Sequence, residues 1–174
     1  MNATASPIRW PLSRSVRRTV LTVHIIACVG LLGDSAGFLA VALRAATTDD
    51  PALAASAYEL LEMFSIVFGI PLSMLSLATG LALGFGTKWG VLRHWWTTAK
   101  LALIFSVILV GAFVIGPSVA LMRDGSGGRE TVLVLASAYD VLALSLATAL
   151  SVFKPGGRRS RARASARQQR SPDR

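Results

Sequence analysis

Four ionisable side chains interrupt the long apolar runs of this chain: His24, Asp34, Lys100 and Asp140. A charge inside a bilayer is costly enough that each is a functional candidate by default. Two carboxylates, Asp34 and Asp140, could carry a proton or a small cation between them. Lys100 stands at a span boundary, where its long stem can snorkel its ammonium to lipid phosphate. His24 and Cys28 share a helix face at a spacing of four, but two ligands do not complete a metal site. Met63 and Met122 are weak copper ligands of the soft thioether type.

The segments that must position these groups follow from composition. The chain has 174 residues, of which 53% are hydrophobic and 16% charged, and its mean hydropathy is +0.56. The apolar residues form blocks, over 20–43, 60–83, 99–121 and 131–153, each long enough to cross a hydrocarbon core of roughly 30 Å. The expected fold is therefore all-α, a polytopic membrane protein with a four-transmembrane-helix bundle over 20–153. All four blocks are too long for a signal-peptide core, so the Arg17-Arg18 pair ahead of the first is expected to flank an uncleaved anchor.

The net charge of +9 is distributed unevenly. Arg14, Arg17 and Arg18 precede the first block, Lys88, Arg93 and Lys100 flank the second connection, and Lys154 leads an arginine-rich tail. The other two connections are nearly balanced in sign. The positive-inside rule then puts both termini in the cytoplasm of a bacterial plasma membrane. The basic segments 1–19 and 154–174 are expected to lie outside the bundle, the tail being disordered and drawn to anionic lipid. Its charge is a topology determinant in this setting, which makes nucleic acid an unlikely partner. Trp89, Trp95 and Trp96 suit headgroup depth at the same boundary.

Local signals refine each helix. Gly30, Gly33 and Gly37 offer small surfaces, and the Gly33–Gly37 pair predicts close approach by another helix, within the bundle or in a homo-oligomer. Asp50 before Pro51 reads as a helix cap and first turn, so the second helix starts outside the membrane. Glu59 and Glu62 follow there as solvated carboxylates. Pro71 predicts a kink in mid-span, with Ser73 helping to satisfy the freed carbonyl. A break is expected near Gly116-Pro117. Ser137, Asp140, Leu144, Thr148 and Ser151 form a line at steps of three and four that should face inward. Counting from the block ends puts Asp34 and Asp140 at one depth, roughly 13–14 Å below the surface. If their faces meet, the two cannot both ionise cheaply and a proton is held between them. The plainer alternative gives each a local partner such as Ser35, Ser137 or Ser145.

There is no Walker loop, no HExxH, no CxxC and no serine elbow, which argues against an enzyme. His24, Gly30-Leu31-Leu32-Gly33, Thr79-Gly80-Leu81, Thr87-Lys88-Trp89-Gly90, Arg93-His94-Trp95-Trp96 and Lys100 together resemble a family of bacterial integral membrane proteins catalogued as a domain of unknown function. More distantly, His24 and Lys100 with the intervening Thr-Gly and Trp are similar to CopD-like copper-resistance proteins and HemJ-type protoporphyrinogen oxidases. That second likeness implies haem b bound by His24; helical rise lets His24 and Lys100 share one leaflet, where Gly30, Thr79 and Gly80 leave room and the propionates could pair with Lys100 or Arg93. Three functions follow as expectations. A structural or accessory membrane subunit needs only packing and leads. A haem-binding redox protein would use His24 and Lys100. A proton-, cation- or copper-handling protein would use Asp34 and Asp140.

Overall fold

The computed structural model describes residues 13–85 and 95–153. Arg93, Lys88, Trp89 and the basic tail lie outside the described residues. Four helices follow one another: α1, Arg14–Ala46; α2, Pro51–Phe85; α3, Trp95–Arg123; and α4, Glu130–Phe153. Each is long and apolar enough to cross a membrane, and no strand occurs among the described residues. The all-α, four-span architecture is thus the one the apolar blocks require.

The helices overrun those blocks, because backbone hydrogen bonding continues where hydropathy stops. Ser13 accepts from the Val16 amide and starts α1 within the basic segment, while Thr47 ends it. At 33 residues α1 is about 50 Å long, well beyond a core of about 30 Å. Asp50 accepts from the Ala52 and Leu53 amides ahead of Pro51, so α2 begins well before residue 60. The α3–α4 turn uses Gly125 and Gly128 at φ of 77° and 88°, a region that glycine enters without a Cβ penalty.

Neither proline ends its helix. Each follows a single π-helical turn, Ser65–Gly69 in α2 and Gly111–Ile115 in α3, closed by Ile70 N–H to Ser65 O and Gly116 N–H to Gly111 O. The widened turn lets the helix continue past a residue that has no N–H and whose ring would collide with the carbonyl four residues back. The break expected at Gly116-Pro117 is therefore replaced by a continuous helix with a π-turn before it. Ser73 does not serve a freed carbonyl either; its hydroxyl donates to Ile70 O.

α1 is central, packing along both α2 and α4, and α3 rests mainly on α4. Gly30 and Gly37 receive α2: a Cβ on them would meet Leu72 Cδ1 at 3.3 Å and Phe64 Cε1 at 3.2 Å. Gly33 has nothing within 4 Å and faces outward, so the working glycine pair is 30 and 37. Two apolar clusters form the core. One, around Phe38, Leu61, Val119 and Leu133, lies toward the 47–50 and 124–129 connections. The other, Leu31, Val107, Ala143 and Leu144, lies toward the opposite end. The outward faces are apolar as well, with Leu135, Leu142, Ile66 and Phe113 among the exposed residues, as expected of helices solvated by lipid.

Candidate functional site: an acidic cavity between the two core clusters

A cavity of about 440 Å³ separates the two clusters and touches all four helices. Asp34 from α1 and Asp140 from α4 both line it. Asp34 lies twelve residues before the end of α1 and Asp140 ten after the start of α4. At helical rise these are about 18 and 15 Å from the two helix ends, and because those ends overrun the apolar blocks the two acids keep the similar depth that counting within the blocks gave.

Both carboxylates lack the local partners that would make them ordinary packing groups. Oδ1 of each is buried without a hydrogen bond among the described residues. Asp140 as a whole is only 7% exposed. Ser137, one turn before it, is no help, since its hydroxyl donates to Leu133 O at 2.6 Å. Ser65 likewise donates to Leu61 O and Ser73 to Ile70 O. These three serines line the cavity with their single protons already committed to their own helices, and a fourth, Ser35 of α1, lines it beside them. From Ser65, Ser73 and Ser137 only lone pairs remain to face inward. Together with the two carboxylates they make a cavity rich in acceptors.

The π-turns shape it. Ser65, Gly69, Gly111 and Ile115, the ends of the two widened turns, all line the cavity. Gly69 gives room to Asp34, whose Oδ2 would lie 3.4 Å from a Cβ there. Single π-turns occur often at functional sites. Sequence inspection missed them; the signal was the pair of prolines, each two residues after a turn that glycine helps to open.

The other candidates sit elsewhere and do not line this cavity. His24 Nδ1 is 2.9 Å from Thr79 Oγ1, whose hydroxyl donates to Leu75 O at 2.6 Å. Nδ1 must then be the donor, which leaves Nε2 to accept from the Cys28 thiol at 3.6 Å. Cys28 Sγ in turn lies 3.2 Å from Ser76 Oγ. The imidazole therefore ties α1 to α2 through Nδ1, while Nε2 is held within α1 by Cys28, itself beside Ser76 of α2. A Cβ on Gly80 would stand 3.1 Å from His24 Cε1. The room that Gly80 and Gly30 leave is thus filled by the His24 ring and Leu72. Lys100 donates to Ser151 Oγ at 3.3 Å and lies 5.1 Å from the centre of the Trp96 ring, joining α3 to α4. Met122 is buried in the apolar cluster and Met63 is exposed. No group of three or more His, Cys, Asp or Glu side chains is arranged for a metal among the described residues. Glu62, read as merely solvated, pairs with Arg123 and links α2 to α3; an exposed pair of this kind contributes about 0–1 kcal/mol.

Comparison with known proteins decides the family. A family model described as "Predicted integral membrane protein (DUF2269)" matches residues 18–155. The chain belongs to the DUF2269 family. The match takes in all four helices and both cavity acids. No curated protein and no solved structure matches the chain. The more distant likeness to CopD-like and HemJ-type proteins is not shown by these comparisons.

Proposed function

We propose that this DUF2269 protein binds and releases a proton or a cation at Asp34 and Asp140, near the middle of the membrane. The observation that carries the reading is that two carboxylates from different helices line one cavity, each with a buried oxygen that no group among the described residues satisfies. A structural subunit has no need of such a pair, and apolar residues would pack there at less cost. The haem alternative draws no comparable support, because both nitrogens of His24 are engaged, Nδ1 with Thr79 of α2 and Nε2 with Cys28 of its own helix.

The test is chemical. Dicyclohexylcarbodiimide is apolar and adds to protonated carboxyl groups shielded from water. Detergent-purified protein should take a single adduct, located at Asp34 or Asp140 by peptide mapping and lost in the Asp34→Asn, Asp140→Asn double variant. A folded chain that stays unmodified, or one whose adduct maps to other carboxylates, removes the proposal.

The setting we propose is a bacterial plasma membrane with both termini cytoplasmic, on the strength of the basic residues that gather before α1, between α2 and α3, and after α4. In that orientation the tail meets anionic headgroups. A cysteine at Ser165, in a Cys28→Ser background, should resist an impermeant maleimide added to intact cells and react once the cells are opened. Labelling from outside reverses the orientation.

A further inference from the structure

A proton needs no cavity, and a bare metal ion fills only a small part of about 440 Å³. The walls around the acids are apolar, from Leu31, Phe38, Val107 and Ile108, where a hydrated ion would lose water and find few oxygens in return. Pockets of this size and lining hold a ligand with an apolar body and a small number of oriented polar atoms.

The polar atoms select the sign of charge. Two carboxylates and four serines line the cavity, and the protons of Ser65, Ser73 and Ser137 are spent on the Leu61, Ile70 and Leu133 carbonyls. Asp140 is more than nine-tenths buried and has an unpartnered oxygen. An anion meets chiefly oxygen lone pairs here, which repel it. A cation meets acceptors on several sides, and its charge offsets that of a carboxylate that ionises to receive it.

The route in is lateral. Ile70 and Met74 of α2, and Ala112 and Gly116 of α3, line the cavity and are also exposed on the bundle's outer surface. They stand midway along apolar helices, where the surroundings are lipid chains instead of water. The two π-turns both line the cavity and make no extensive contact with one another, and the exposed lining residues mark an opening between α2 and α3 at this level.

We propose that the cavity takes a lipophilic organic cation, an ammonium or onium group carrying an apolar body, which enters from the hydrocarbon layer between α2 and α3. The proposal rests on the acid-pair reading above and names its ligand class. The charged centre sits against Asp140 and Asp34, and the apolar body lies along the walls toward the α2–α3 gap.

Tetraphenylphosphonium and tetraphenylborate provide the test, since they share shape and size and differ in the sign of charge. Purified full-length protein should bind radiolabelled tetraphenylphosphonium saturably and should not bind tetraphenylborate above detergent background. Asp140→Asn should weaken phosphonium binding by about tenfold or more. Ala112→Trp, which places bulk at an exposed point of the gap, should weaken it to a similar degree while the chain still elutes as a single species on gel filtration. Equal uptake of both probes, no saturable binding, or binding unaltered in both variants overturns the proposal. A protein that takes the carbodiimide adduct yet ignores tetraphenylphosphonium would retain the acid-pair site and lose the organic cation. Loss of both results would remove both.

Discussion

Asp140→Leu is expected to make the protein more stable while abolishing carbodiimide labelling at that position. In the folded chain the Asp140 side chain is almost fully removed from the surroundings, and its Oδ1 has no hydrogen bond among the described residues. A buried polar atom left in this state costs about 1–3 kcal/mol. Leucine removes that cost, and the adjoining cavity gives its extra branch somewhere to go, so overpacking is avoided. The expected gain is about 1–3 kcal/mol, read as a rise of roughly 2–12 °C in the thermal midpoint in detergent. Asp140→Asn should give little of that gain, because the amide is equally buried and equally in need of partners. The order leucine, then asparagine and wild type together, identifies an acid kept for function at the expense of stability. If Asp140→Leu instead lowers the midpoint, Asp140 is paired in the folded protein, and its unpartnered oxygen is no longer an argument for a ligand.

The extent to which this arrangement is legible in the sequence depends on the range of the interaction concerned. The four spans are visible because hydrophobicity over some twenty residues needs no tertiary partner to be recognised. The start of α2 is visible because Asp50 and Pro51 act within one turn. The common depth of Asp34 and Asp140 is accessible to counting, since helical rise is fixed. That both reach one cavity is not, because it depends on how α1 and α4 are rotated and on which helices neighbour them. The prolines are a further limit. Each announces a missing donor, but whether the helix kinks, ends or widens into a π-turn depends on where the carbonyls before it find partners. At Gly116-Pro117 the sequence suggests a break, and the chain continues as helix to Arg123. His24 shows the same limit in reverse. Its partners Thr79 and Gly80 stand out as small or polar positions, yet the space that they leave is occupied by the imidazole itself.

That close fit sets the other large effect. Gly80→Leu should destabilise the bundle by about 1–3 kcal/mol or more, through the contact between α1 and α2. A Cβ at Gly80 comes within 3.1 Å of His24 Cε1. The imidazole cannot readily turn aside, since Nδ1 donates to Thr79 and Nε2 accepts from Cys28. The longer leucine branch must therefore push the helices apart or expel the ring from its hydrogen bonds. Gly80→Ala should cost less, because helix propensity returns roughly 0.5–1 kcal/mol of whatever the contact loses. Gly33→Leu supplies the control. With nothing within 4 Å of its Cβ position, it should cost nothing and gain up to about 0.5–1 kcal/mol of helix propensity. Removing the ring tests the cause: in a His24→Ala background the leucine enters the vacated space, so the two substitutions should be less damaging together than their separate costs imply, by about 0.5–3 kcal/mol. Thermal midpoints of the four combinations at positions 24 and 80 measure this directly. Strictly additive costs would mean that Gly80 is needed for something other than the His24 ring, and the account of His24 as the tie between α1 and α2 would fail.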